Sequence, residues 1–586
     1  LGRNDDPSRG NDPEIGNAQA GALTGGQPSF LGRDNANQIA LQDGIPGITN
    51  QYLFQPLAGG FYSPCTDGSL DMSIVGHEYT HAISNRMIGG PDEGITSEQG
   101  GAMGESWGDL TAAEYMYEHG YSTGASPWAV GPYATGNKAV GIRDYAIDAN
   151  PLNYSDYGFD SPGVEVHADG EIWNGTMWEV RKALVAKYDG AYPTSSKALN
   201  LRCAQATATS TPTPATQCPG NRRWLQLMFD AFLLQQGATS MLDARDAMLA
   251  ADRMRFGGAN QTVLWNAFAR RGMGSNASTP DADSGDPTPG FASPKSSSAT
   301  VKFAATAPAG ATTPAGKVYI GDYEARATPV ADTIGSTPLP ATAKLTAGTY
   351  KVLFVAPGYG MSRSTLTVTA GQSLTKSFAL TPNLASARNG ATVLGSSAGS
   401  LNAAFLIDDS EETNWAGVNE ADSVDTTSPW VAVDLAGTAA RKVSSVRVSA
   451  MLRPAPPGPL DAVPLLADAE DDPDSGARFT ALRRFAIEVC TTSCSAADAT
   501  WKRIYTSATD AFPGVAPRPV APNLTLRSFD VPDTTAAAVR LVALENQCTG
   551  APAYAGEQDN DPVNDTDCKA GSDADLSVRA AELEVF

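Results

Sequence analysis

The stretch Gly76–Met87, GHEYTHAISNRM, places His77 and His81 four residues apart with Glu78 beside the first. The chain has four histidines, and the other two are His119 and His167. On an α-helix, residues i and i+4 share a face, so both imidazoles can hold one ion while Glu78 reaches a water on it. This is the His-Glu-x-x-His zinc arrangement. A catalytic zinc takes three protein ligands and leaves a place for water. One known source of the third ligand needs a glycine at position 84 and a histidine at position 87, where Ser84 and Met87 stand. The next acidic pair, in GGAMGESWGDL, supplies Glu105 and Asp109, again at i and i+4. Glu105 is the expected third ligand. Asp109, one turn on, can accept the N–H of a ligand histidine and fix its tautomer. Glu93, Glu98 and Glu114 are rival ligands, but none has an aspartate four residues on.

The chemistry of such a set is hydrolysis. Zinc lowers the pKa of water toward ~7 and polarises a carbonyl. Glu78 can take the proton as general base and pass it to a leaving amine. A donor beside the developing oxyanion is worth about 10²–10³ in rate.

Three helix patterns must position these residues: Ser73 to Met87, stopped by GGP at 89–91; Gly104 to Glu118, ending at Gly120; and Gly170 to Lys187. Helical character then runs from Arg222 to Arg271 and closes at RGMG. The region before the first helix is rich in Gly, Asn, Asp and Pro, with short strand-like pieces such as QYLFQPL. One α+β unit is therefore predicted over 1–275, with a helical subdomain about 170–275. Residues 276–298 have no apolar period and are full of Pro, Ser, Asp and Gly, which predicts a linker. Beyond it the period becomes two, in KVYIGD, GTYKVLFVAPGY and STLTVTAG, then WVAVDL, VSSVRVSAML and RFAIEVC. Two all-β units are predicted, 299–382 and 383–586.

A chain of 586 residues is too long for one core. Its formal net charge of −23 leaves no basic stripe, so nucleic acid is excluded as a partner. No apolar run approaches the ~20 residues that cross a bilayer, and Asp230 interrupts the strongest, LQLMFDAFLLQ. Of the seven cysteines, six fall into short-range pairs, 203 with 218, 490 with 494 and 548 with 568, which points to an oxidising, extracellular compartment. Cys65 is left over. With Leu1 as its first residue, the chain is expected to be a mature or truncated product.

GHEYTHAISNRMIGGP followed by GAMGESWGD resembles the fungalysin metalloproteases, relatives of thermolysin. The resemblance extends through VHADGEIWNGTMWEV (166–180) to DARDAMLAADR and NQTVLWNAFARRGMG. It implies a thermolysin-like zincin fold, with zinc on His77, His81 and Glu105 and Glu78 as the base. It also implies secretion and protein or peptide substrates. The family's downstream histidine corresponds to His167, the expected oxyanion donor, since His119 ends a helix and looks solvated. Asn50, in GITNQYLF, is expected on a substrate-pairing edge strand. The family carries a longer β-rich region before the motif helix, whereas 76 residues precede His77 here.

Residues 299–382 resemble small PEGA-like or transthyretin-like sandwiches, by VYIG, STPLP and LTAGTYKVLFVAPGYG. Residues 383–586 resemble discoidin-type galactose-binding jelly rolls, by AAFLIDDSEETNWA, WVAVDL, RRFAIEV and AELEVF. That resemblance implies attachment to a glycan or cell surface and a calcium ion near Asp408, Ser410, Thr413 and Glu582. Asp409 stands where those domains usually have glycine. The acidic run 556–567 reads as a solvated loop. The leading expectation is a secreted zinc metalloendopeptidase whose C-terminal sandwich is a detachable targeting unit, so that losing 383–586 leaves hydrolysis of a short peptide nearly intact. The alternative is a non-catalytic carbohydrate- or surface-binding protein with a relict protease domain.

Overall fold

Three glycines decide how closely the first helices can pack. The computed structural model describes residues 12–22, 32–54, 65–121, 128–161, 163–204, 213–324, 327–418, 428–437, 439–452, 470, 472, 475–514, 518–550, 568 and 573–586. Helix α1 (Met72–Met87) lies against α2 (Glu98–His119), and α2 against α3 (Val166–Tyr188). A Cβ at Gly76 would meet the Ala112 Cβ at 2.9 Å, one at Gly108 would meet His77 Nδ1 at 2.6 Å, and one at Gly170 would meet the Ala102 carbonyl oxygen at 2.7 Å. Each crossing therefore needs a residue without a side chain. Asp71 caps α1, its Oδ1 accepting the Ser73 N–H at 3.1 Å. Gly89 and Gly90, both with positive φ, follow its end. α2 ends on Gly120 at φ 71°.

The helical core continues through α4 (Lys197–Ala204), α5 (Gly220–Phe232), α6 (Met241–Phe256) and α7 (Gln261–Arg270). The predicted run over 222–271 is thus three helices broken by short turns. Trp107, Trp173, Trp224, Phe232 and Phe268 are buried at its centre. Fully burying an apolar side chain contributes about 1.5–3 kcal/mol, so this cluster gives the α2–α3 pair a firm base.

Ahead of α1 stands a small sheet of β1 (Glu14–Ala20), β2 (Ala36–Ile39) and β3 (Gly47–Phe54), in the order β1-β3-β2. A short β4 (Thr66–Asp67) pairs with the end of β3. Asn50 lies on the central strand, in register with Asn17 on one side and Asn37 on the other. Its side chain is held by both, at 2.9 and 2.8 Å. The expectation that Asn50 sits on an edge strand is therefore corrected. β1 and β2 are the outer strands, and alternating apolar residues in the GITNQYLF run could not distinguish a central strand from an outer one.

Residues 276–298 contain no helix, but they do not hang free. Ala282 O accepts the Gln99 N–H at 3.0 Å, the Asp283 carboxylate accepts the Glu98 N–H at 3.0 Å, and Gly290 and Gly274 bond to each other's neighbourhood through the Met273–Gly290 bridge. The segment is laid over the start of α2.

The small β unit packs a four-stranded sheet (Ser362–Val368, Gly348–Val355, Lys317–Ile320, Ala331–Asp332) on a three-stranded one (Ser373–Ala379, Ala299–Thr306, Thr342–Leu345). Phe303, Phe354 and Phe378 fill the space between them. The large unit sets five strands (Thr392–Ser396, Trp430–Asp434, Ala538–Asn546, Leu482–Cys490, Lys502–Thr506) against three (Arg527–Ala536, Arg441–Ser449, Glu582–Val585). Disulfides join Cys203 to Cys218, Cys490 to Cys494 and Cys548 to Cys568, and Cys65 is free and exposed. The acidic run 556–567 lies outside the described residues.

The large sandwich is not a tethered unit. Arg478 donates to the Asp160 carboxylate at 2.6 Å, and Arg518 pairs with Asp144 at 2.6 Å. Asp144 and Asp160 belong to the helical domain and are 2% and 0% exposed. The small sandwich touches the same domain, where Asn153 donates to the Ile320 carbonyl at 2.7 Å. Buried contacts between residues more than 300 apart in sequence thus join the sandwich to the helical domain, which no linker composition can reveal.

Candidate metal centre and cleft

Helix α1 turns a face of unusual polarity inward, burying His77 and Glu78 with Ile74 and Ala82. The donors converge with Glu105 of α2. His77 Nε2 lies 3.0 Å from His81 Nε2 and 3.2 Å from Glu105 Oε2, and His81 Nε2 lies 3.5 Å from Glu105 Oε1. Bonds of about 2.0–2.1 Å to a tetrahedral zinc set neighbouring ligand atoms about 3.3–3.4 Å apart. The three side chains thus fit one such ion. Among the described residues they form the group able to hold a metal, with all ligand atoms within 4.8 Å of one another. The rivals lie elsewhere. Glu114 is buried in a pair with Arg181 at 2.5 Å, and Glu93 and Glu98 are exposed.

Asp109, 1% exposed, is the hub behind the ligands. It accepts from His77 Nδ1 at 2.8 Å, from Arg143 Nε and Nη2 at 2.9 Å each, and from Asn174 Nδ2 at 2.8 Å. Burial opposes its ionisation, but the Arg143 guanidinium and His77 outweigh it and hold the carboxyl below the usual range. With Asp109 accepting at Nδ1, His77 presents Nε2 to the ligand position. Arg143 also reaches Glu105 Oε2 at 3.3 Å, so one guanidinium steadies a ligand and the group behind the other ligand. Gly108 makes room for His77 against α2.

Glu78 faces the same cleft, a cavity of about 400 Å³ lined also by Asn37, Phe54, Ile74, Ile142 and Arg143. Burial pushes its carboxyl up to about 7, against the pull of His77. A second cavity, about 660 Å³, lies on the far side of α1 between Met72, Tyr79 and Tyr115, and it contains none of these groups.

His167 stands at the first turn of α3, with a side chain 57% exposed, and its Nε2 is 3.5 Å from Glu105 Oε2. Glu165 caps α3, accepting the His167 and Ala168 N–H groups at 3.0 and 2.9 Å, and its other oxygen meets His167 Nδ1 at 2.5 Å. Burial lowers the His167 pKa, but the Glu165 hydrogen bond and the Glu105 charge more than offset it and raise the value. His119, by contrast, bonds the Tyr115 carbonyl at the end of α2.

Sequence reasoning missed Arg143, Asn174 and Glu165. Arg143 sits in a loop with no periodic signal. Glu165 left a trace in VEVH, an acid where a helix cap belongs, two residues before the histidine.

The four calcium candidates lie beside one another. Asp408 Oδ2 accepts the Thr413 hydroxyl at 2.6 Å, and Asp408 Oδ1 the Ser410 N–H at 3.1 Å. The Ser410 hydroxyl turns to Glu324 at 3.1 Å, and Glu582 Oε2 accepts the Asp409 N–H at 3.1 Å. Asp409 has φ 66°, which explains why glycine is usual there. Its carboxylate stabilises the turn through Ser386 and the Gly358 N–H at 2.6 and 2.7 Å.

Residues 3–277 match the family described as fungalysin metallopeptidase (M36). An extracellular metalloproteinase of Aspergillus flavus is 34% identical over 277 residues, covering 46% of this chain and 38% of that protein. The extracellular metalloproteinase 3 of Trichophyton soudanense is 32% identical over 273 residues, covering 46% of this chain and 62% of that protein. The chain thus spans about two fifths of the Aspergillus relative's length. Two solved carbohydrate-binding modules cover about a third of the chain. They are a CBM32 of AlyQ in complex with 4,5-unsaturated mannuronic acid (12% identity, 33% of this chain, 92% of that one, TM-score 0.18) and a CBM32 from Clostridium perfringens in complex with GalNAc-beta-1,3-galactose (16%, 35%, 99%, 0.19). Likenesses at those scores bear on neither ligand nor function.

Proposed function

We propose that this chain, whose residues 3–277 form a metallopeptidase domain of the fungalysin family, is a secreted zinc endopeptidase that hydrolyses peptide bonds of protein substrates. The observation that carries the reading is the convergence of His77, His81 and Glu105 at 3.0–3.5 Å beside a buried Glu78 in one cleft. Zinc bound there would polarise a carbonyl and acidify water. Glu78 takes the water's proton and returns it to the leaving amine. Asp109 and Arg143 fix the orientation of His77 and Glu105. His167, held by Glu165, donates a hydrogen bond to the oxygen that gains charge. The disulfides fit an oxidising compartment, and the named extracellular relatives support secretion. No described helix is long and apolar enough to cross a membrane.

The alternative, a relict protease domain serving surface binding, predicts that some of this set has drifted. Instead His77, Glu78, His81, Glu105 and Asp109 keep mutually compatible distances. Zinc analysis with casein hydrolysis, with and without a chelator, tests the reading. Zinc-dependent cleavage is expected, and a zinc-loaded chain that cleaves nothing supports the alternative. For residues 383–586 the proposed role is attachment to a glycan or surface. It rests on the sequence landmarks and is tested by pull-down on insoluble polysaccharides, where no retention on any of them removes it. Calcium at Asp408, Thr413 and Glu582 is likewise a proposal, favoured by the fully buried Glu582 Oε1, which has no hydrogen-bond partner among the described residues. A calcium titration that leaves the unfolding midpoint unchanged would remove it.

A further inference from the structure

Three consecutive loop residues connect the metal centre to the large sandwich. Ile142 lines the cleft, Arg143 holds Asp109 and Glu105, and Asp144 points the other way into the domain interface. From inside, Glu171 of α3 accepts the Asp144 and Tyr145 N–H groups at 2.7 and 2.9 Å. From outside, the sandwich grips the two residues that flank Arg143. Arg518 pairs with the Asp144 carboxylate at 2.6 Å and reaches the Ile142 carbonyl at 3.5 Å, and the Ala521 N–H donates to Asp144 Oδ2 at 3.1 Å. Next to this contact Arg478 holds Asp160 at 2.6 Å. Asp144 and Asp160 are buried carboxylates in one place, and buried charges persist only when paired. Two of their pairing cations come from the sandwich.

A second, apolar contact backs other residues of the cleft lining. Phe54 and Ile74, which line the cleft, share one buried cluster with Phe479, Cys548, Cys568 and Ala574 of the sandwich. Phe479 adjoins Arg478, so the ionic and apolar contacts are one surface.

We infer that the C-terminal sandwich is a working part of the metal centre: Arg518, through Asp144, positions Arg143 against Asp109 and Glu105. Arg518 is a positioning residue that touches neither metal nor substrate. The inference rests on the reading of His77, His81 and Glu105 as zinc ligands. It does not depend on which bond is cleaved. The sandwich thereby gains a task distinct from attachment, since anything that shifts its loop at 518–521 shifts a contact to a zinc ligand.

The test is a double-mutant cycle on zinc affinity in the full chain, measured by chelator competition, with unfolding midpoints as a check on folding. Partners behind a metal ligand typically carry about 10–100-fold in affinity, and that loss is expected for Arg143→Ala. Arg518→Ala, one link further out, is expected to lose about 3–10-fold in the wild-type background but under about twofold when Arg143→Ala is already present. Arg518→Lys, which keeps the charge, is expected to recover most of the affinity, and Arg518→Gln, which removes the charge, takes the place of Arg518→Ala in the cycle if that variant does not fold. An equal loss from Arg518→Ala in both backgrounds would show a merely structural contact and overturn the inference, as would wild-type affinity in the folded single variant. A wild-type chain that binds zinc but cleaves no peptide overturns the peptidase reading alone, because the cycle is still read. A wild-type chain that binds no zinc overturns both.

Discussion

The two sides of the cleft are built by different physics. On the helical side, His77, Glu78, His81, Glu105 and Asp109 are spaced by the turn of a helix, and Gly76 and Gly108 let two helices close until the side chains meet. On the loop side, Ile142, Arg143 and Asp144 belong to no regular element and are held by Glu171 within and Arg518 without. The first side depends on neighbours in sequence. The second depends on residues several hundred positions away, so it can change without any change in the motif itself.

Substitutions can break that contrast. The largest effect among them is expected at His167. His167→Ala should lower kcat/KM by about 10²–10³ with zinc retained, since the lost donor acts mainly in the transition state. Loss of zinc in this variant would make His167 a ligand and remove it from the oxyanion-donor role. On the helical side, Gly108→Ala drives a Cβ to 2.6 Å from His77 Nδ1. His77 must shift, and chelator competition should show zinc affinity falling by about 10–100-fold, the usual range for disturbing a ligand's support. Unchanged affinity would mean that α1 and α2 are free to separate.

A pH profile tests the histidine at the start of α3. Glu165 raises the His167 pKa, so the donor form persists to higher pH in the wild type. In Glu165→Gln the hydrogen-bonded raising partner is gone while Glu105 remains, and the basic limb of kcat/KM should move to lower pH while the acid limb stays in place. A basic limb that does not move would separate His167 from the profile. The smallest effect is expected at Asn50. Asn50→Ala removes side-chain amide contacts within the small sheet, and kcat/KM should change by less than about threefold. A larger loss would return Asn50 to the substrate site.

The same contrast explains what the sequence could show. A helix repeats every 3.6 residues, so the spacing of His77 with His81, and of Glu105 with Asp109, is enough to place each pair on a shared face. Cysteine pairs and strand periods were legible for the same local reason. Arg143 was not, because a loop carries no period and its partners come from α2 and the sandwich. Asn50 was misplaced since strand alternation reports which face is buried but not which strand is outermost. The docking of 276–298 over α2 was hidden too. Its composition resists regular structure, yet Gln99 and Glu98 supply bonds that its own sequence does not contain.

The most direct measurement is hydrolysis of one peptide by wild type and by Glu78→Gln, each with its zinc content determined on the same sample. One zinc per chain is expected in both, with chelator-sensitive cleavage by the wild type and a rate lower by about 10²–10⁴ in the variant, the usual reach of general-base catalysis. Glu78→Gln cleaving at the wild-type rate with its zinc in place would contradict the assignment of Glu78 and, with it, the chemistry assigned to the cleft.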